Sequence, residues 1–208
     1  INGALALYYY RYRLLLEEQE VQFILVVFMV VLTLSLVGWV LLSRKLGKLR
    51  PLLLGVSLLG FFSCVTYPFF PPGNLWIPLL VGSVLLGSCV GSVVLLDSLL
   101  TDVIDYDQVR NGVQRSGVYF GVWRLGAKTA RALAVAGAGL LLEVIGFVPN
   151  TVQSAEVSDA LAWLFGPGVG VFLVLAALLL WPYRFDDDKQ RQVRRILQRK
   201  ELLAAQAP

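Results

Sequence analysis

The chain has 208 residues, is 57% hydrophobic and only 15% charged, and carries a net charge of +4. Soluble domains average about 25% charged residues, so this balance excludes an ordinary water-soluble fold and removes nucleic acid as the reason for the basic excess. With no histidine and two cysteines, Cys64 and Cys89, both in uncharged surroundings, the composition also argues against a transition-metal site or a disulfide framework.

Taken in chain order, the first apolar stretch (about 1–16) is half a membrane span and is expected to be a truncated helix of a longer protein. Nothing there has the basic start and small-residue cleavage site of a signal peptide. Complete spans are predicted near 21–43, 51–70, 75–104, 118–148 and 160–183. Residues 51–96 carry no charge, more than twice the roughly 20 residues of one span. Pro71-Pro72-Gly73-Asn74 breaks that run into a hairpin. The expectation is an all-α membrane protein: a transmembrane half-bundle over 1–183 and a cytoplasmic tail over 184–208.

The loops sort by charge. Segments 44–50, 105–117 and 184–208 hold thirteen of the eighteen Lys and Arg, whereas 11–20, 71–74 and 149–159 hold two, Arg11 and Arg13. Positive charge stays cytoplasmic, which puts the 44–50 loop and the C-terminus inside. Small residues recur every four positions as Ser83, Gly87 and Gly91, and again as Ala130, Ala134 and Ala138. Such stripes let backbones approach closely in lipid, as ordinary helix packing or as a sliding surface for a moving bundle. In the tail, Val193, Ile196, Leu197 and Leu203 form a thin apolar stripe against a basic face. That pattern fits a short interfacial or gate-covering helix, and equally a solvated tail.

The remaining three cations, Arg124, Lys128 and Arg131, stand inside the 118–148 span. Their spacing of four and then three puts them on one helical face. By the helical rise they lie roughly 9, 15 and 20 Å from Val118, so Lys128 falls near the middle of a hydrocarbon core about 30 Å thick. A charge there costs about 2.5–3.5 kcal/mol on insertion scales, so it faces a water-filled path or a partner. Glu143 is the other charge on this span and lies about 22 Å further along.

Ahead of this span runs Asp102-Val-Ile-Asp105-Tyr106-Asp107-Gln-Val-Arg110-Asn-Gly112-Val-Gln-Arg115-Ser-Gly117. With Lys128 downstream, this stretch resembles the glycoside–pentoside–hexuronide:cation symporter family of the major facilitator superfamily, the melibiose-carrier-like group. That family carries Asp-x-x-Asp-Tyr-Asp/Gly-Glu/Asp, then Gly-x-Arg and a small residue, and a membrane-embedded Lys; here Asp102, Asp105, Tyr106, Asp107, Gly112, Arg115 and Lys128 take those positions. The resemblance continues at Leu42–Lys48, Gly146–Asn150 and Tyr183–Asp186, and so covers nearly the whole chain. It implies the C-terminal six-helix bundle of a twelve-helix major-facilitator-type transporter, with the first helix truncated and the N-terminal six-helix half missing. It also implies a sodium- or proton-coupled sugar or glycoside carrier working by alternating access. No cofactor is implied, and the coupling ion is expected to be bound mainly by the missing half. The partners are then membrane lipid, the solute and that N-terminal half, with no nucleic acid, in a bacterial inner membrane.

Residue roles follow from charge and position. Asp102 and Asp105 lie one turn apart at the cytoplasmic mouth, where they can pair with Arg110, Arg115 or the 44–50 loop. With Tyr106 and Asp107 they are expected to form a cytoplasmic gate, because charge pairs at a wet rim are weak enough to break. Capping the helix end is the rival, less attractive because carboxylates oppose the macrodipole there. Lys128 is expected to meet solute hydroxyls or carboxylates of the missing half, rather than a structural partner in this bundle. Arg124 and Arg131 depart from the family pattern and either favour an anionic solute such as a hexuronide or pair elsewhere. Trp123 either stacks on a sugar ring or belongs to the interfacial belt, while Tyr119 and Phe120 read as belt. Other readings remain: the same fold moving an organic anion or a lipid-like solute, or a non-transporting membrane assembly module. No nucleophile–base pair marks an enzyme.

Overall fold

Apolar length makes the helices and local chemistry ends them. A computed structural model describes residues 2–70, 72–73, 76–182, Val193 and Ile196, with the side chains of Asn2, Ala4 and 76–78 left aside. In chain order these form α1 (Asn2–Tyr8) with a π-helical turn (Tyr9–Arg13), α2 (Glu18–Leu46), α3 (Leu49–Phe69) and α4 (Trp76–Val90). A 3-10 turn (Gly91–Val93) leads into α5 (Val94–Asn111), followed by α6 (Ser116–Val144), α7 (Ala155–Phe165) and α8 (Pro167–Leu180). Among the described residues there is no strand, and the protein is an all-α membrane fragment. Five helical stretches are long and apolar enough to cross a bilayer: 18–46, 49–69, 79–111, 116–144 and 155–180. The expected tail helix and the Tyr183–Asp186 match lie outside the described residues, except that Val193 is helical and buried and Ile196 helical and exposed.

The helix ends have identifiable causes. Glu17 and Glu20 form a capping box at the start of α2, whose last turn carries Arg44 and Lys45, each charge complementing the macrodipole. Gly112 ends α5 in the left-handed conformation (φ 73°), its N–H donating to the Gln108 carbonyl at 2.9 Å. The expected 75–104 span therefore runs seven residues further, and Asp105 through Arg110 are helical rather than loop. The stretch expected at 160–183 begins at Ala155 and is interrupted at Gly166-Pro167, where proline suits the first turn of α8.

Glycine decides the tightest crossing, α3 against α8. A Cβ on Gly166 would stand 2.9 Å from the Ser63 carbonyl oxygen, and one on Gly170 2.9 Å from that of Gly60. α2 lies along α4 in the same manner: Gly87 and Gly91 of the small-residue stripe face Phe28 and Ser35, and the Trp39 indole donates to the Ser88 carbonyl at 2.6 Å. One apolar cluster gathers Leu5, Tyr9, Ile24, Leu79, Leu161 and Phe165; a second gathers Leu52, Val56, Leu95, Leu99 and Ala177. α6 stands apart. Only Ala138 and Leu142 of its 29 residues are buried, and Ala130, the first of its small-residue stripe, is exposed.

Candidate functional site

α6 presents Arg124, Lys128 and Arg131 on one face, all exposed. Among the described residues none of the three has an ion-pair or hydrogen-bond partner. Lys128 lies about 18 Å along the helix from Ser116 and about 24 Å from Val144, near its centre by the 1.5 Å rise. Glu143 is likewise unpaired with them.

Beside it, α5 and α6 enclose an apolar groove of about 520 Å³ lined by Leu100, Tyr119, Val122, Trp123, Gly126 and Ala130 among others. Trp123 lines it, and its indole Nε1–H donates to Asp97 Oδ1 at 3.0 Å. Asp97 was missed in the sequence because its partner lies on the next helix. In the structure it sits in the first turn of α5, well inside the 79–111 span, and turns toward α6.

The carboxylates expected at an exposed rim are placed differently. Asp102 is 1% exposed, and both its oxygens accept from Lys48 Nζ, at 2.7 and 2.6 Å. The same ammonium donates to the Ser98 carbonyl at 3.1 Å. Asp102 thus pairs with the 44–50 loop, one of its expected partners, and does so inside the protein. The physical reason is packing: α5 continues past Asp102, which is buried along with Leu99 and Ile104 of the same helix. Asp105 is half-buried and Tyr106 exposed, both with partners; Asp107 accepts from Asn111 Nδ2; Arg110 and Arg115 are exposed.

At the other end a second cation is engaged. Arg13, expected in a loop, is 4% exposed at the end of the π-helical turn. Its Nε and Nη2 donate to the Phe70 carbonyl at 3.3 and 3.0 Å, and its Nη1 to Ser158 Oγ at 3.3 Å and Asp159 Oδ1 at 2.7 Å. The Gly73 N–H donates back to the Arg13 carbonyl at 3.2 Å, and the Asn150 N–H to Tyr12 Oη at 3.0 Å. One arginine thereby ties α1, the α3–α4 turn and α7 together. The free cysteines pack without such roles, Cys64 close against Gly170 and Cys89 buried.

A family model described as MFS/sugar transport protein matches residues 1–187. Among curated relatives, the uncharacterized symporter YjmB of Bacillus subtilis (strain 168) is 24% identical over 161 residues, covering 76% of this chain and 34% of that protein. The isoprimeverose transporter of Lactiplantibacillus pentosus is 28% identical over 149 residues, 67% of this chain and 29% of its own length. A putative 2,3-dihydroxypropane-1-sulfonate exporter of Salmonella typhimurium is 34% identical over 67 residues, 32% of this chain and 15% of that protein. The chain spans about a third of the length of the first two relatives it matches.

Proposed function

The chain belongs to the MFS/sugar transport protein family of multi-pass membrane transporters, and from that premise we propose that it is the C-terminal half of a sugar or glycoside:cation symporter. The observation that carries this reading is the exposed face of Arg124, Lys128 and Arg131 along α6, without counter-charge among the described residues. Cations at that depth are retained where they meet water, solute or an acidic partner. A companion N-terminal bundle supplies the opposite wall of the aqueous cavity and most of the ligands for a sodium ion or proton. Lys128 contacts solute hydroxyls or carboxylates of that bundle. The solute crosses as the two halves rock about the central site. The C-terminus lies on the cytoplasmic side of a bacterial inner membrane in this reading, which the basic loops support.

Asp102 and Lys48 belong in this reading to the cytoplasmic end, where they hold the α2–α3 turn against α5 so that the half moves as one body. Contacts that break during the cycle then fall to Asp105, Asp107, Arg110 and Arg115 around them.

A second solute class has specific support. Three cations on one face favour an organic anion, and one partial relative is named as a putative sulfonate exporter. Uptake into membrane vesicles of the full-length protein separates the two. Under a sodium or proton gradient, labelled neutral glycosides are expected to accumulate, and Lys128→Gln to abolish accumulation at equal membrane content. Full uptake by Lys128→Gln, or accumulation of sulfonates and hexuronides but no neutral sugar, overturns the glycoside reading.

A further inference from the structure

We infer that Asp97 and Trp123 form a recognition pair for one neutral hydroxylated ring of the solute, with Asp97 a specificity-determining hydroxyl acceptor. The inference rests on the transport reading above and deepens it. Asp97 is an anion inside the 79–111 helical stretch and the first charge after the charge-free run 51–96, a position where a carboxylate is costly. Its side chain is exposed toward α6, and among the described residues no Lys or Arg lies within ion-pair distance of it. The one group engaging it is the Trp123 indole, through a single N–H to Oδ1 at 3.0 Å. An ionised carboxylate offers about four lone-pair sites, so one indole N–H leaves most of its accepting capacity unused. Hydroxyl groups are the donors that use such capacity without adding charge.

The surroundings fit a ring. Trp123 is 40% exposed and lines the α5–α6 groove, and the bond at its N–H edge ties it to Asp97. Gly126, Ala127 and Ala130 on the neighbouring turns leave the space of about 520 Å³ beside it. A pyranose-type ring is amphipathic in the matching sense. Its C–H face lies against an aromatic plane while its equatorial hydroxyls reach sideways to a carboxylate. The same negative charge rejects an acidic group at this point. Any anionic substituent is directed instead to Arg124, adjacent to Trp123 in sequence, or to Lys128, about 7.5 Å further along the helix axis. The pair thus reads hydroxyls at one end of the solute and the cations read the other end.

The competing account is that the bond merely ties α5 to α6. The deciding experiment measures initial uptake in vesicles of the full-length protein for a transported pyranoside and its series of monodeoxy analogues, with insertion checked by membrane content. Wild type is expected to disfavour one deoxy analogue about 10-fold in KM, the worth of one hydrogen bond to a charged group. Asp97→Asn keeps the shape and an acceptor for the indole; it is expected to raise the parent KM about 10-fold and to erase that discrimination. Trp123→Phe is expected to raise KM for parent and analogue alike while keeping the discrimination. Asp97→Asn with wild-type discrimination against every analogue overturns the inference, as does Trp123→Phe with an unchanged KM throughout. Absence of saturable pyranoside uptake in wild type overturns the transport reading and this inference with it.

Discussion

Arg13 and Lys48 are each bound to a carboxylate on a helix distant in sequence, while Arg124, Lys128 and Arg131 stand exposed along α6. All five are cations of one predominantly apolar bundle. The first two close its ends: Arg13 joins α1, the α3–α4 turn and α7, and Lys48 joins the α2–α3 turn to α5. The last three hold nothing together within it. In a low-dielectric setting a charge needs a counter-charge, hydrogen bonds or water, so the contrast separates groups that build the half-bundle from groups reserved for what it meets.

That contrast can be broken most sharply at Asp102. Asp102→Ala leaves the Lys48 ammonium bonded only to the Ser98 carbonyl and is expected to destabilise the folded bundle by about 3 kcal/mol, read as a lower midpoint in detergent thermal unfolding. Removing both charges together, as Lys48→Met with Asp102→Leu, is expected to recover a large part of the loss. A double variant as unstable as the single would show that shape, not charge, matters there. Arg13→Met comes next, at about 1–3 kcal/mol, because the Phe70 carbonyl and Ser158 hydroxyl lose a buried donor. Limited proteolysis at the α3–α4 turn should report it. Asp159→Asn at the same cluster is expected to cost under about 1 kcal/mol, since that side chain is 65% exposed and its pairing is screened. Lys128→Gln is expected to shift stability by less than about 0.5 kcal/mol while uptake disappears. A large unfolding shift for Lys128→Gln would move it into the first group and dissolve the distinction.

Much of this was readable along the chain and some was not. The charge-free run 51–96, the Pro-Gly break at 71–74 and the 4-then-3 spacing of Arg124, Lys128 and Arg131 are local patterns, and they announce spans, a hairpin and a face without reference to any other helix. The Asp102 stretch announced the family for the same reason. What stayed hidden was every fact that depends on a neighbour. Arg13 meets Asp159 146 residues later, Lys48 meets Asp102 after 54, and Asp97 meets Trp123 after 26. Asp97 drew no reading along the chain because its partner, Trp123, lies on the next helix. The need for glycine at 166 and 170 was equally invisible until α3 was seen passing over them.

By itself, then, the order of residues determined that this protein is a set of membrane helices with a sorted charge between their two ends. Lipid offers the backbone no hydrogen-bond partner, so any apolar run of sufficient length becomes helix whatever lies beside it. Tertiary structure alone decided which charges are spent inside and which remain on display. Pairing depends on distances of a few ångströms between helices, and those are set by where small residues let backbones meet.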